Sequence, residues 1–361
     1  MRKIRNLNWK SYLDRVYNPL VLRLKTTSSR NKAQVALNKI RKAKGRSIVN
    51  TRMLKQIKMY AHEQFGSKAY WPWLACYTEL RGEFIEGWVP DDYYQLKLLR
   101  AINPVNLCYV SFIKSLDHCL FRDFAMPWIL FKTNDTLFDS NRIVIDKATA
   151  LEKIRAIDKE IVLKRESGFG GRDIFFIRPD EITGGIFNRK FDFIVQEVAS
   201  QHKDIDAVYP GSINTIRILT FLGFDSKVRV LLLKMRIGGE GSRMDNMRTG
   251  GRAVYFDDSG NCISNAHNDL GLEIESHHPR TGYEYKKLSL PFLDEAKRRC
   301  IESHYQYPYL RLIAWDVFID SSGKPVLMEW NTKSPGFWVN EALIGPLWSL
   351  EELRIFKIMI I

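Results

Sequence analysis

Hydrophobic and polar positions follow two different rhythms along this chain. Apolar residues recur at helical spacing within residues 34–46 and 51–64, and again within 149–159 and 293–305. From about Lys114 onward, short runs rich in β-branched and aromatic residues appear between turn residues. These runs predict strands at residues 161–165, 174–178, 193–198, 215–222, 228–235, 312–320 and 326–330.

Mixed strands and helices with several hairpin signals predict an α+β fold rather than a doubly wound parallel sheet. The pattern before Lys114 divides into a basic helical extension at residues 1–60 and an aromatic-rich, mostly helical region at 61–113. The length of 361 residues and a hydrophobic content of 45% are enough for two or three domains with a sizeable core.

Cysteine usage and hydropathy favour a cytosolic protein. No apolar run reaches the length of a membrane span, and no signal-peptide core follows the basic start. The cysteines are scattered without a C-x-x-C pair, so buried thiols are favoured over disulfides or a zinc site. They are Cys76, Cys108, Cys119, Cys262 and Cys300.

The net charge of +14 is concentrated at one end of the chain. Residues 1–60 contain 17 Lys and Arg but only Asp14 as an acid, and the remaining residues carry 38 bases and 40 acids. A basic segment of this kind is either a solvated helical extension or an attachment to an anionic membrane, an acidic polymer or nucleic acid. Nucleic acid is disfavoured because the neutral remainder shows no RNA- or DNA-binding motif.

The clearest chemical signal lies in residues 313–331, two β-type runs joined by a turn. If Ser322 and Gly323 form a two-residue loop, Asp316 lies directly opposite Glu329. Residues two apart on a strand share a face, so Asp316, Glu329 and Asn331 converge on one side. The side chains predicted to point to the other side, into a core, are Trp315, Val317, Ile319, Met328 and Trp330.

Two directly opposed carboxylates repel each other unless something neutralises them. Two carboxylates and an amide form an oxygen-only ligand set, which suits a hard cation such as Mg²⁺. The alternative is an exposed hairpin whose charges face water, but the apolar flanks favour burial.

An aspartate followed thirteen residues later by E-x-N, closing a hairpin, resembles the metal-binding end of the ATP-grasp superfamily. Residues 332–336 are similar to the N-T-x-P-G of its D-alanine ligase-like members, with one extra residue. The resemblance implies two α+β subdomains clasping ATP, at 114–196 and 197–361. Those members carry an arginine two residues before the aspartate. Here that position is Ala314, so the phosphate-clamping arginine is unassigned.

The strand predicted at 161–165 leads into a glycine-rich turn whose backbone N–H groups could approach phosphate oxygens. The turn is neither a P-loop nor a dinucleotide fingerprint, and by itself it is better explained by an ordinary glycine hairpin. The ATP-grasp resemblance implies that it is the phosphate-covering loop, with Lys164 contacting the nucleotide. The loop residues implied are Ser167, Gly168, Gly170 and Gly171.

The same resemblance implies further nucleotide contacts. Lys114 resembles the earlier nucleotide lysine. Gln196, Glu197 and Val198 resemble the hinge of ATP-grasp proteins, whose backbone contacts the adenine edge. Asp204 is the candidate for the ribose hydroxyls, with Asp206 and His202 as alternatives.

A series of short motifs resembles the sugar-transfer-associated ATP-grasp family over roughly residues 85–350. The motifs are N-T-x-R at 214–217, R-I-G at 236–238, D-N at 245–246, G-G at 250–251 and H-P-x-T-G at 278–282. Arg217 and Arg236 could present planar donors to a transferring phosphate or an acidic substrate, or form structural salt bridges.

The remaining motif residues leave alternatives open. Asn214, Asp245 and Asn246 either hold the substrate or shape a loop. His278 precedes a proline turn, where a structural and a catalytic role are equally compatible with the sequence.

The resemblance implies an ATP- and Mg²⁺-dependent carboxylate–amine ligase that acts through an acyl phosphate. Association of the family with surface polysaccharide assembly implies an acidic sugar such as a uronic acid, and an amine co-substrate. Two alternatives remain: a kinase acting on a sugar or polyol hydroxyl, and a nucleotide-binding assembly protein without turnover.

Overall fold

The computed structural model describes residues 19–168, 173–239, 241–247 and 250–360. They group into two compact units, one combining Met1–Ala101 with Gly336–Ile361 and the other comprising Ile102–Pro335. We call these the helical unit and the sheet unit. The residues from Gly336 onward thus group with the N-terminal part of the chain, whereas a division at residues 60, 113 and 196 stays a prediction.

The elements follow one another in an order that mixes helices and strands. They are α1 Pro19–Lys44, α2 Thr51–Phe65, α3 Trp71–Arg81, α4 Asp91–Tyr93, α5 Leu99–Ile102, α6 Lys114–Phe121, β1 Leu130–Thr133, β2 Thr136–Asp139, β3 Val144–Ile145, α7 Lys147–Arg155, β4 Ile161–Arg165, β5 Ile174–Ile177, β6 Phe193–Glu197, α8 Lys203–Asp206, β7 Ile216–Leu222, β8 Val228–Ile237, β9 Arg252–Tyr255, β10 Ala266–His267, β11 Glu273–Glu275, α9 Leu293–Gln306, β12 Leu312–Ile319, β13 Pro325–Asn331, α10 Trp338–Ile344 and α11 Leu350–Ile360.

The helical unit contains α1, α2 and α3, and local sequence explains where α2 begins and ends. Asn50 caps its start by accepting a hydrogen bond from the Met53 N–H at 2.9 Å. Gly66 ends it with a left-handed φ of 76°. No helix among the described residues is long and apolar enough to cross a membrane.

The sheet unit contains two sheets whose neighbouring strands are all antiparallel. The six-stranded sheet has the order β3-β2-β1-β6-β4-β5, and the seven-stranded sheet has the order β11-β10-β9-β8-β7-β12-β13. The predicted α+β class is confirmed, and each predicted strand is present within a few residues. The sequence pattern did not predict β1, β2, β3, β9, β10 or β11.

Each sheet buries one face in its own core, which leaves the other face free for a site. In β4, Ile161 and Leu163 join a core with α7, so Val162 and Lys164 point to the opposite side. In β12, Trp315, Val317 and Ile319 join the core of the seven-stranded sheet. Because these core residues are two positions apart, the side chain of Asp316 between them points to the opposite face of the sheet.

The β12–β13 hairpin pairs Asp316 with Glu329, as predicted, but its loop length and strand register differ from the prediction. Its loop has three residues rather than two, since Asp320 pairs with Lys324 through a 2.9 Å backbone hydrogen bond. A β-bulge after Asp316 compensates for the extra loop residue. The bulged residue is Met328, and its predicted place in the core is wrong: it lines the cavity described next.

Candidate functional site

A cavity of about 410 Å³ lies in the sheet unit and takes its walls from both sheets. The six-stranded sheet contributes β4 and β5, whereas the seven-stranded sheet contributes Arg236, Asp316 and Glu329. The residues predicted from sequence that line the cavity are Lys114, Lys164, Gly168, Glu197, Val198, Asp206, Arg236, Asp245, Asn246, Asp316 and Glu329, of which Asp206 was the alternative to Asp204.

The other predicted residues do not line the cavity. Gly170 and Gly171 lie outside the described residues. The remaining ones are described by the structure but are not part of the lining: Ser167, Gln196, Asp204, Asn214, Arg217 and Asn331.

A row of charged residues crosses the cavity face of the seven-stranded sheet. Glu329, Asp316, Arg217 and Lys234 stand directly opposite one another on β13, β12, β7 and β8. Directly opposed residues share a face, so the strand register alone brings these four side chains together. Arg236, two residues beyond Lys234, lies on the same face.

Asp316 is held by guanidinium groups and is almost completely buried. Arg217 binds it in bidentate fashion, from Nε to Oδ1 and from Nη2 to Oδ2, each at 2.7 Å. Arg236 Nη2 and Asn331 Nδ2 donate to Oδ2 at 3.0 and 3.1 Å. Although burial raises the pKa of Asp316, the two arginines hold it below its ordinary value.

Glu329 has the opposite environment, although it lies directly across from Asp316. Its carboxylate makes no hydrogen bond to any described residue. Burial raises its pKa, Lys114 opposes this shift and the Asp316 charge adds to it. The two arginines therefore neutralise Asp316, while Glu329 retains an acceptor with no partner in the part of the chain that the structure describes.

The expected metal site can be tested against this donor set. Within the described residues no three His, Cys, Asp or Glu side chains cluster as a metal site. Asp316 and Glu329 with the Asn331 amide remain an oxygen-only set, and Oδ1 of Asp316 accepts a single hydrogen bond. These residues fit a hard cation bound mainly through Glu329.

Arg236 also connects the row to the loop that follows β8. Its guanidinium donates to Thr215 Oγ1 at 2.9 Å and lies 3.3 Å from Asp245. Asp245 accepts a hydrogen bond from the Thr215 hydroxyl. This network fixes the direction of the Arg236 side chain toward the cavity.

The base of the glycine-rich turn is tied to the start of α6. Lys114 Nζ donates to the carbonyls of Glu166 and Gly168 at 3.1 and 3.2 Å. The Glu166 carboxylate accepts hydrogen bonds from Ser115 N and Oγ at 3.0 and 2.5 Å. Four hydrogen bonds therefore hold the described part of this turn against α6.

Lys164 lies on β4 at the cavity wall, where its Nζ is 3.2 Å from Met328 Sδ. Burial, and next the positive charge of Lys114, lower the pKa of Lys164 to about 8. An ammonium group in this position gains a favourable environment when a polyanion enters the cavity.

The hinge residues divide between the cavity and the scaffold. Glu197 and Val198 line the cavity, whereas Gln196 donates to the backbone carbonyl of Met126 at 3.1 Å. Asp204 is exposed on the single turn of α8, while the alternative, Asp206, lines the cavity. The orientation of α8 thus places Asp206, and not Asp204, at the cavity, a distinction that the sequence could not make.

Two other motif residues make scaffold contacts. Asn214 is fully buried, and its Nδ2 donates to the carbonyls of Ile205 and Tyr209 at 3.3 and 2.9 Å. His278 is also fully buried and stacks on Tyr209 with ring centroids 4.7 Å apart. Their positions favour the loop-shaping and structural readings of these motifs.

Sequence reasoning missed Arg243, which joins the two sheets across the cavity. It forms two hydrogen bonds with the Glu160 carboxylate at 2.8 and 2.6 Å. Its guanidinium lies 3.5 Å from the ring centroid of Phe176 on β5. Its position just before the D-N motif was the only available signal, and that signal does not specify a partner.

Comparison with known families identifies a match over part of the chain. Residues 183–346 match the family model described as "Sugar-transfer associated ATP-grasp". The resemblance drawn from the motifs is confirmed for this segment, which is less than half of the chain. No curated protein gives a significant match to the sequence.

Solved structures also resemble this chain, at low identity. The ATP-grasp ligase PsnB complexed with a minimal precursor has 14% identity and a TM-score of 0.38, covering 72% of this chain and 64% of its own. D-alanyl-alanine synthetase A from Vibrio cholerae has 15% identity and a TM-score of 0.40, covering 69% and 65%. The D-alanine-D-alanine ligase from Coxiella burnetii has 14% identity and a TM-score of 0.42, covering 72% of this chain and 60% of its own. This chain therefore spans less than two thirds of the length of these structures.

Proposed function

We propose that this protein is an ATP- and Mg²⁺-dependent carboxylate–amine ligase that forms an amide on a uronic acid or related sugar. The observation that carries the proposal is the composition of the cavity lining. Two lysines, from α6 and β4, face the same 410 Å³ space as Arg236 and the carboxylates of Asp316 and Glu329. Such a set can bind a polyphosphate and a hard cation together.

Lys114 and Lys164 are assigned to the phosphates of ATP. Lys114 is held by the Glu166 and Gly168 carbonyls, and it can exchange these bonds for phosphate oxygens without leaving the cavity wall. Glu197 and Val198 would read the adenine edge through their backbone, with Asp206 facing the ribose. Asp206 replaces Asp204 in this role because only Asp206 lines the cavity.

Glu329, Asp316 and Asn331 would hold Mg²⁺. The ion would supply charge neutralisation at the phosphates and a template for the transferring group. Glu329 offers the unpaired carboxylate, while Arg217 and Asn331 keep Asp316 ionised and oriented. Arg236 points toward the cavity beside Asp316. It would replace the phosphate-clamping arginine that D-alanine ligase-like proteins carry at the position of Ala314.

In the proposed reaction, a substrate carboxylate attacks the terminal phosphorus of ATP and ADP leaves, giving an acyl phosphate. An amine then displaces phosphate and forms the amide. Arg236 would bind the negative oxygens that develop on the transferring group. The match to the sugar-transfer-associated family supports an acidic sugar as the carboxylate substrate, in surface polysaccharide biosynthesis.

The test uses ATP, Mg²⁺, a panel of uronic acids and their nucleotide derivatives, and hydroxylamine as a trapping amine. A hydroxamate that depends on ATP and on Glu329 is the expected product. A stable phosphorylated sugar without hydroxamate would replace the ligase with the kinase alternative. Nucleotide binding without any turnover would leave only the assembly-protein alternative.

A further inference from the structure

The outer faces of α1 and α2 carry positive charges that form no ion pair with any described residue. The chain has no acidic residue between Asp14 and Glu63. Unlike a loosely attached tail, α1 is a folded part of the helical unit. Ala33, Leu37 and Ile40 are fully buried, and α1 packs closely against α3.

Two buried acids of this unit pair with cations on the inner side of α1. Glu79 is fully buried and accepts a hydrogen bond from Arg41 at 2.8 Å. Asp92, also fully buried, lies 3.6 Å from Arg30. The arginines on the inner face of α1 are therefore paired with buried carboxylates.

The outward cations of α1 have no such partner. The ammonium groups of Lys25, Lys32, Lys39 and Lys42 form no ion pair or hydrogen bond with any described residue, and all four lysines are exposed. Burial raises the pKa of Asp91, and the charge of Lys32 only partly offsets this rise. The successive spacings of the four lysines, seven, seven and three residues, place them along one side of the helix. On α2, Arg52 and Lys55 are exposed in the same way, seven and four residues before Met59.

Aliphatic side chains stand among these exposed cations. Leu24 and Val35 on α1 are 62% and 55% exposed, and Met59 on α2 is 48% exposed. The aromatic residues of α2, Tyr60 and Phe65, are instead buried. Nucleic-acid surfaces add aromatic stacking to positive charge, whereas interfacial helices combine basic residues with exposed aliphatic ones.

We propose that the exposed faces of α1 and α2 dock this protein on an anionic lipid bilayer. Basic residues near such a surface are attracted to its lipid headgroups, and salt screens this attraction. The exposed aliphatic residues enter the headgroup layer and add a contribution that salt does not remove. The docking does not depend on the reaction proposed above.

Deletion of the basic region is not a suitable test, because Leu37, Ile40, Ile57 and Ala61 belong to the core of the helical unit. The full-length protein is instead sedimented with phosphatidylcholine vesicles containing an increasing share of phosphatidylglycerol, at low and high salt. The test variant is K25E/K32E/K39E/K42E. The control is K190E/K227E/K286E/K324E, which changes the net charge equally at exposed lysines of the sheet unit.

Wild-type binding is expected to rise with phosphatidylglycerol and to fall with salt. The α1 variant should lose about 100-fold or more in partitioning, given roughly fivefold per basic residue. The control should stay within a few-fold of wild type. Replacing Leu24 and Val35 with Ser should weaken binding by a factor that salt changes little.

Circular dichroism and thermal unfolding verify that each variant is folded, and R52E/K55E on α2 provides a second variant if the first does not fold. Equal binding to neutral and anionic vesicles would overturn the proposal, as would an equal loss in the control. So would nucleic acid that binds the same lysines and displaces the protein from the vesicles, since it would then be the partner.

Discussion

The two hairpins that line the cavity use charge in different ways. In β12–β13 the charged groups are buried, and arginines on β7 and β8 hold Asp316. In β4–β5, strand β5 is an edge strand whose residues are only partly buried. The base of its turn is held by Lys114 and Ser115 of α6, in addition to a backbone hydrogen bond from Glu166 to Asp192.

This contrast indicates a division of labour within one cavity. The carboxylate hairpin places its charges through strand register, so they cannot move without breaking a sheet. The glycine-rich turn is held by a few side-chain hydrogen bonds, which can exchange for phosphate contacts at low cost. In the proposed reaction, the chemical step would take place at the carboxylate hairpin, and the glycine-rich turn would bind the nucleotide.

The largest effect is expected from the pair of opposed carboxylates. Glu329→Gln should lower ATP turnover by about 1000-fold or more, because the cation would lose its main ligand. Its fold should be unchanged, since the Glu329 carboxylate has no hydrogen-bond partner among the described residues. Turnover and hydroxamate formation measure the loss. Near wild-type activity in this variant would refute the metal assignment.

Asp316→Asn sharpens the difference between the two carboxylates. It should abolish turnover as well, but it should also destabilise the protein by about 3 kcal/mol. The reason is that Arg217 and Arg236 would keep buried charges without their shared carboxylate. Denaturant unfolding of the two variants compares these costs. Equal stability of the two would show that the arginines are not supported by Asp316.

The next effect concerns Lys164, at the other hairpin. Its pKa of about 8 means that it is charged below that pH and neutral above it. The KM for ATP should therefore rise about tenfold between one unit below and one unit above this pKa, as the phosphates lose a cation. Lys164→Arg should keep the affinity and lose this pH dependence. An unchanged profile in Lys164→Arg would assign the titration to another group.

A smaller loss is expected when the base of the glycine-rich turn is loosened. Ser115→Ala removes the hydroxyl that donates to Glu166, and it should weaken ATP binding by about tenfold. Adenosine, which lacks phosphates, should bind as before. Calorimetric titration with both ligands measures the difference. Equal losses for ATP and adenosine would show that this turn does not contact the phosphates.

The smallest effect is expected from Arg243, which connects the two sheets. Its ion pair with Glu160 is partly exposed, so Arg243→Ala should raise the KM for ATP only a few-fold. Glu160→Gln serves as the matched variant, because it weakens the ion pair and retains the Phe176 contact. A loss in kcat with an unchanged KM would place Arg243 in the chemical step instead.

The pairing of Asp316 with Glu329 could be predicted from the sequence because hairpin pairing is local. The prediction survived an error in the loop, since one extra loop residue and one bulged residue, Met328, compensate for each other. The same bulge explains why Met328 could not be placed. A bulge depends on how a strand packs, which spacing along the chain does not reveal.

The side chains that bind Asp316 could not be predicted from the residues near it in the sequence. Arg217 and Arg236 were recognised as candidate donors, yet their contact with Asp316 requires β7 to lie between β8 and β12. The choice between Asp204 and Asp206 likewise depended on the direction in which a single helical turn faces the cavity.

The sequence by itself determined the fold class, the main strands, the carboxylate hairpin and the basic character of the first helices. These features arise from periodicity and composition, which act over a few neighbouring residues. Only the tertiary structure decided that arginines neutralise Asp316. It also decided that neither Glu329 nor the outward lysines of α1 form an ion pair with a described residue. Such outcomes depend on which strands and helices become neighbours, and burial then sets the cost of every charge left without a partner.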